Sequence, residues 1–190
     1  SIMKDKQTLF DITTNSLNRI KEVLESEKPD VVLVHGDTST TFAGALAAFY
    51  NQVAIGHVEA GLRTDNKYSP FPEEMNRQMT TSIATLHFAP TIMNKNNLLK
   101  ENIKEEDIFI TGNTVIDALY LVVDKIKSSS ELDSSLQKLL LEAGYDVARL
   151  SEKRKMVLIT GHRRENFGSG FINMCTAIRD LALKYPEVDF

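Results

Sequence analysis

Residues 31–42 constrain the fold more than any other segment of the chain. The apolar run at residues 31–34 predicts a buried strand, and Asp37 follows within three residues, directly after a glycine. An alanine-rich stretch at residues 42–50 then has the apolar spacing of a helix. Asp37 therefore lies where a strand ends and a helix begins, and in open α/β sheets ligands bind at that edge.

The same alternation of strand and helix continues along the chain. Further strands are predicted at residues 53–58, 86–89, 108–110 and 156–159. Helices are predicted at residues 9–24, 115–126 and 171–183, near Glu73 and Thr91, and more weakly within residues 132–150. Because strands alternate with helices, we predict parallel, doubly wound sheets of the α/β class. Three serines at residues 128–130 indicate a linker.

The composition narrows the classes of function. Hydrophobic residues make up 42% and charged residues 25% of the chain, as in globular proteins, and no apolar run is long enough to cross a bilayer. The single cysteine, Cys175, excludes an internal disulfide, fits the reducing cytoplasm and is expected in the core. A net charge of −4 without a basic stripe argues against duplex nucleic acid as a partner.

Reactive side chains follow several of the predicted strands. Because the carboxyl ends of parallel strands share one edge of a sheet, we expect these side chains to face one crevice. Carboxylates close to one another supply an acid and a base at neutral pH, and arginines with a histidine suit a phosphorylated ligand. The candidates are His35, Asp37, Glu59, His162 and Arg163, with Glu73 at the start of a helix.

Each candidate also has a simpler structural interpretation. Asp37 is placed to cap the following helix, and Glu73 and Arg77 have the spacing of a surface ion pair. Arg63 has two interpretations, a phosphate contact or a contact that closes a loop. Glu59 has apolar or small neighbours in the sequence, so we do not expect its carboxylate to be an ordinary solvent-exposed surface group. Two histidines within apolar strands are expected in the core, namely His57 and His87.

Several motifs of other enzyme classes are missing from the sequence. A zinc deaminase needs two cysteines beyond its first motif, and a zincin needs two histidines at helical spacing around a glutamate. Neither a dinucleotide fingerprint nor a Walker loop is present. The residues alone therefore predict acid–base chemistry on a phosphate-bearing substrate, without a metal.

Five segments together resemble the non-hydrolysing UDP-N-acetylglucosamine 2-epimerases. Any one of them is a weak signal, but they span most of the chain in the order expected for that family. They are VHGDT at residues 34–38, HVEAGLRT at 57–64, SPFPEEMNR at 69–77, TGNTVID at 111–117 and TGHRREN at 160–166.

The resemblance implies two Rossmann-like domains in the glycosyltransferase-B arrangement, with the site in the cleft between them. Residues 1–117 would be most of the first domain, 118–154 a connecting helix and linker, and 155–190 the beginning of the second. The first strand and loop of the family and most of its second domain have no counterpart here. We therefore expect the chain to be a fragment that is inactive by itself.

The resemblance also implies the reaction, the interconversion of UDP-N-acetylglucosamine and UDP-N-acetylmannosamine without a cofactor or metal. The family eliminates UDP to give 2-acetamidoglucal and then adds it back. Carried over by position, the catalytic residues are Asp37, Glu59, Glu73 and His162. The substrate-binding residues are Arg77, Arg163, His35 and Arg63.

Further expectations follow from the same resemblance. The complete enzyme would be a cytoplasmic homodimer that supplies N-acetylmannosamine for bacterial surface polysaccharide, and its UDP-sugar would also act as an allosteric activator. Three alternatives remain open: a glycosyltransferase of the same architecture, a hydrolysing epimerase, and a nucleotide-sugar sensor. The three carboxylates favour proton transfer at C2. Product analysis separates the three enzymes, and a sensor would bind UDP-sugar without scrambling C2.

Overall fold

The computed structural model describes residues 7–152, 154–160 and 168–190. The chain divides into two compact units, Ser1–Leu119 and Tyr120–Phe190, which we call the first and second units. Each unit contains a parallel sheet with helices between its strands, so the predicted α/β class is confirmed.

The first unit is built on a four-stranded sheet in the order β1-β2-β3-β4, with every pair parallel. The strands are β1 (Val31–His35), β2 (Ala54–Val58), β3 (Leu86–Ala89) and β4 (Ile108–Ile110). The helices are α1 (Leu9–Glu27), α2 (Ser39–Tyr50), α3 (Glu73–Ile83) and α4 (Ile92–Lys100), followed by the 3₁₀ turn Glu105–Asp107. The helix α5 (Thr114–Lys127) begins in this unit and ends in the second.

Side-chain caps fix where three of these helices begin. Thr8 and Asp11 form a reciprocal capping box at α1. Thr38 and Thr91 each accept a hydrogen bond from the backbone N–H three residues later, at α2 and α4. The start of α2 is therefore set immediately after the β1 strand end.

Small residues form the core between α2 and the sheet. Ala45, Ala47 and Ala48 are buried and pack with Val34 of β1 and Ile55 of β2. Because alanine side chains are short, α2 lies close to both the sheet and α1. A second cluster lies around β3 and β4 and consists of Ala60, Ala89, Leu98 and Ile108.

The second unit contains the short parallel pair β5 and β6. Its elements are α6 (Ser130–Glu142), α7 (Ala148–Ser151), β5 (Lys155–Met156), α8 (Ser169–Lys184) and β6 (Val188–Asp189). The strand predicted at 156–159 is shorter in the structure, because β6 offers only two residues for pairing. Two serines, Ser128 and Ser129, separate α5 from α6 at the predicted linker.

The helices of this unit leave their apolar side chains exposed. A cavity of about 720 Å³ between α6, α8 and the two strands is lined mainly by such side chains. Cys175 of α8 is exposed there, so the prediction of a core position is wrong. The helix predicted at residues 171–183 is confirmed as α8, but no residue of α8 is buried in the described part of the chain.

Among the described residues, no helix is both long enough and apolar enough to cross a membrane.

Gly61 allows the loop after β2 to lie against α4. Its φ is +86°, and a Cβ added there would lie 2.3 Å from the backbone oxygen of Asn94. The Gly61 carbonyl accepts hydrogen bonds from the side-chain amides of Asn94 and Asn97, at 3.3 and 3.0 Å. This close approach connects the loop to α4 through backbone and amide groups.

We predict that Gly61→Ala destabilises the chain much more than Gly112→Ala. Gly112 also has a positive φ of +83°, but no described atom lies within 4 Å of its added Cβ. Gly112→Ala should cost about 1–2 kcal/mol for backbone strain alone, and Gly61→Ala about 2 kcal/mol more because of the clash. Urea unfolding followed by circular dichroism measures both, and equal losses would contradict this interpretation.

Candidate functional site

The parallel register of β1 and β2 brings two candidate carboxylates to the same sheet edge. His35 pairs with Val58 at the carboxyl ends of the two strands, and the Gly36 N–H donates to the Val58 carbonyl at 3.0 Å. Asp37 and Glu59 follow these strand ends directly. The predicted convergence of the first two strands is therefore present within the first unit.

Asp37 is held by two neighbouring residues of α3 and does not cap α2. Its Oδ2 accepts a hydrogen bond from Arg77 Nη1 at 2.9 Å, and its backbone carbonyl accepts one from Asn76 Nδ2 at 2.9 Å. The cap of α2 is Thr38, whose hydroxyl accepts from the N–H of Thr41. The capping alternative for Asp37 is therefore wrong, and its carboxylate remains partly accessible.

Arg77 is buried and joins two carboxylates. Besides Asp37, it contacts Oε2 of Glu74 through Nε at 2.8 Å and through Nη2. A surface ion pair between Glu73 and Arg77 is therefore wrong, because the arginine side chain is only 7% exposed and its carboxylate partners are Asp37 and Glu74. Three of the five N–H groups of Arg77 make these bonds.

Glu74 is a completely buried acid that is ionised at neutral pH. Burial alone would raise the pKa of Glu74, but Arg77 and the hydrogen bonds from Gln78 and Thr64 together hold that pKa below its ordinary value. The Gln78 amide donates to Oε1 at 2.8 Å and the Thr64 N–H to Oε2 at 3.1 Å. A buried carboxylate with this many donors is satisfied without water.

Glu73 differs from Glu74 in having a buried oxygen without a partner. It is the first residue of α3, where the backbone N–H groups and the helix dipole favour negative charge. Its Oε2 is buried and accepts no hydrogen bond from the described residues. Leaving a buried carboxylate oxygen unpaired is costly, so such an atom is characteristic of a site that a ligand completes.

Glu59 is held in a backbone conformation that glutamate rarely adopts. Its φ is +67°, in the left-handed region, which is uncommon outside glycine and costs on the order of 1 kcal/mol or more. Its Oε2 lies 3.7 Å from Nε2 of His35, and the His35 side chain is half-exposed. The strained backbone places the Glu59 carboxylate beside the turn that carries Asp37.

Arg63 lies in the same loop as Glu59, but its guanidinium is bound within the protein. It makes a bidentate contact with Glu101, the residue that follows α4, at 2.6 and 2.7 Å and also donates to Thr81 Oγ1 and the Leu62 carbonyl. Its side chain is 4% exposed. This geometry favours the loop-closing alternative over a phosphate contact.

His57 and His87 are core histidines, as predicted, and pair in register on β2 and β3. His57 Nε2 donates to the Gly36 carbonyl at 2.8 Å, because a carbonyl oxygen only accepts. Burial lowers the pKa of His57 to about 4 and also lowers the pKa of His87. Both are therefore neutral at pH 7, and His57 supports the backbone just before Asp37.

Two candidates predicted from the sequence, His162 and Arg163, lie outside the described residues. Within the ranges that the structure describes, no group of three or more histidine, cysteine, aspartate or glutamate side chains is arranged to hold a metal ion. The candidate site on the first unit therefore consists of four carboxylates, a half-exposed histidine and a buried arginine, namely Asp37, Glu59, Glu73, Glu74, His35 and Arg77.

Comparisons with known proteins identify the family. The family model described as UDP-N-acetylglucosamine 2-epimerase matches residues 1–190. A UDP-N-acetylglucosamine 2-epimerase of Bacillus subtilis (strain 168) is 56% identical over 188 residues, which cover 99% of this chain and 45% of that protein. The chain belongs to the UDP-N-acetylglucosamine 2-epimerase family. A second family member, from Yersinia pestis, is 50% identical over 187 residues, 98% of this chain and 48% of that protein.

Solved structures of the family have the same fold. The Neisseria meningitidis UDP-GlcNAc 2-epimerase bound to UDP-GlcNAc superposes with a TM-score of 0.87 at 49% identity, covering 98% of this chain and 48% of that one. The Methanocaldococcus jannaschii enzyme in complex with UDP-GlcNAc and UDP gives 0.77 at 35% identity, covering 95% and 46%. The chain spans about half the length of the relatives that it matches.

Two residues of this family segment were not among the candidates, although the structure places them at the site. Glu74 and Asn76 are buried on α3 and contact Arg77 and Asp37. A signal was available in the sequence, because Glu74, Arg77 and Thr81 have the spacing of one helix face. That face is polar and buried, whereas hydrophobic periodicity searches only for apolar faces.

We predict that His57 makes the family segment less stable as the pH falls from 6.5 to 4. The pKa of His57 is about 4 when folded and has an ordinary value of 6.5, so between these pH values the unfolded chain binds a proton that the folded chain does not. By linkage this favours unfolding by about 2–3 kcal/mol at the lower end of the window, with no further loss below it.

His57→Gln tests this prediction, because a glutamine amide retains a donor for the Gly36 carbonyl but does not titrate in this range. The difference between the free energies of unfolding at pH 7 and pH 4.5, from urea titrations, should be about 2 kcal/mol smaller in the variant. An unchanged difference would show that other groups cause the acid sensitivity.

Proposed function

We propose that the complete protein containing this chain is a UDP-N-acetylglucosamine 2-epimerase that interconverts UDP-N-acetylglucosamine and UDP-N-acetylmannosamine. The observation that supports this most directly is the unpaired buried oxygen of Glu73, one helical turn before Arg77, which holds Asp37. Glu59 lies beside the same turn. Membership in the family supplies the substrate class.

The proposed chemistry begins with an elimination. A carboxylate takes the C2 proton while the C1–oxygen bond breaks, UDP leaves with the electron pair, and a C1–C2 double bond forms. UDP then adds back to C1 while a proton returns to the opposite face of C2. Carboxylates on a preorganised edge provide this acid and base, and cationic groups stabilise the departing diphosphate. In this proposal the carboxylates that transfer protons to and from C2 are those of Asp37, Glu59 and Glu73.

Other assignments belong to the same proposal. His162 and Arg163 act on the diphosphate, while His35 and Arg77 contact the substrate. Arg63 contributes to substrate binding only indirectly, because it holds the loop that contains Glu59 in place. Residues 1–117 form most of the first domain, 118–154 the connection and 155–190 the start of the second. The enzyme is a cytoplasmic homodimer, activated by UDP-sugar, that serves bacterial surface polysaccharide.

We predict that the complete enzyme incorporates solvent deuterium at C2. A suitable protein is a chimera in which this chain replaces the matching segment of the Bacillus subtilis relative, to which it is 56% identical. In deuterated water, NMR should show both UDP-sugars with deuterium at C2. Epimers without deuterium, or a folded chimera that binds UDP without changing UDP-N-acetylglucosamine, would contradict the proposal, and free N-acetylmannosamine would indicate the hydrolysing reaction.

We predict that Asp37→Asn lowers kcat of the chimera much more than it changes KM. Loss of a proton-transferring group costs about 10²- to 10⁴-fold in rate, whereas asparagine keeps the shape and the contact with Arg77. Asp30→Asn is the matched control, because exposed Asp30 directly precedes the opposite end of the same strand. Steady-state kinetics distinguish the two variants, and a kcat within a few-fold of the parent would remove Asp37 from the chemistry.

A further inference from the structure

The carboxylate of Glu74 is completely buried, yet the proposed chemistry does not use it. Among the described residues, its two oxygens accept hydrogen bonds only from the backbone of Thr64 and from two side chains of its own helix, Arg77 and Gln78. It has no exposed surface, so it cannot contact a substrate. Any effect of Glu74 on the reaction must pass through another residue.

The contacts of Arg77 show which residue that is. One edge of its planar guanidinium, Nε with Nη2, faces Glu74, and the remaining nitrogen, Nη1, donates to Asp37 Oδ2 at 2.9 Å. Because the guanidinium is rigid and planar, fixing one edge fixes the direction of the third nitrogen. The position of Glu74 therefore determines where Arg77 meets the Asp37 carboxylate.

Two further contacts make this arrangement more than an ion pair within one helix. Asn76 holds the backbone carbonyl of Asp37 at 2.9 Å, so α3 fixes the backbone and the carboxylate of Asp37 separately. The Thr64 N–H connects Glu74 to the loop that begins with Glu59. One buried acid thus links the elements that carry all three proposed proton-transfer groups.

We infer that Glu74 is a positioning residue, which acts through Arg77 to orient the carboxylate of Asp37 for proton transfer at C2. This inference rests on the proposed function. A residue that only stabilised the fold would need no path to Asp37, and buried ion pairs contribute little net stability compared with apolar residues of similar volume. The Glu74–Arg77 pair differs from the Arg63–Glu101 pair in the same unit because Arg77 also donates to Asp37.

The first test is Glu74→Gln in the chimera described above. Glutamine keeps the volume but removes the charge that holds Arg77. A small displacement of a reacting group costs up to about 10²-fold in rate, so kcat should fall by about 10- to 100-fold while KM changes by less than about 3-fold. Glu105→Gln removes an exposed pair with Lys95 and should leave both constants unchanged.

A double-mutant cycle separates positioning from general destabilisation. If Glu74 acts through Asp37, then adding Glu74→Gln to Asp37→Asn should lower kcat by less than about 3-fold further. A purely structural effect would multiply instead, and that result would overturn the inference. An inactive parent chimera would count against the proposed function, whereas an active parent with an unaffected Glu74→Gln variant would count against this inference alone.

Glu74→Asp provides a second test in case the Glu74→Gln variant does not fold. It keeps the buried charge but withdraws the carboxylate by one methylene, so Arg77 must shift to remain paired. Its circular dichroism and thermal midpoint should stay close to those of the parent, while kcat falls by about 10-fold or more. A folded Glu74→Asp variant with the parent's kcat would overturn the inference.

Discussion

The rest of the site depends on the contacts that the buried guanidinium of Arg77 makes with two carboxylates. It joins an acid on its own helix to an acid at the end of the first strand, Glu74 and Asp37. Removing one partner of such a buried pair leaves an uncompensated charge, which is strongly destabilising. The helix α3 is therefore held against the β1 strand end by charge and hydrogen bonds, not by apolar packing alone.

In the first unit, the core around α2 differs from the carboxyl edge of the sheet in the kinds of residue that it contains. Around α2 the core is made of alanines and aliphatic residues that pack against the sheet. At the carboxyl edge, Glu59 has a positive φ and Glu73 a buried oxygen without a partner among the described residues. Both features lie at the edge of the sheet where ligands bind in open α/β folds.

Much of this fold was readable from local sequence. Apolar runs located the four strands of the first unit, and apolar spacing located α1 and α2. The starts of α3 and α4 were indicated instead by Pro72 with its acidic first turn and by Pro90 with Thr91. The second unit was less readable. Its strand β5 ends earlier than predicted and Cys175 is exposed, because both depend on neighbouring elements that pattern alone does not specify.

The sequence by itself determined the family, the α/β class and the group of strand-end acids, because motif order and periodicity are properties of a chain. Only the tertiary structure decided which carboxylate pairs with which arginine. Spacing along α3 suggested Glu73 as the partner of Arg77, but the arginine pairs with Glu74 and with Asp37, forty positions earlier. The reason is that burial, not spacing, sets the value of a charge contact, and burial is a property of packed elements.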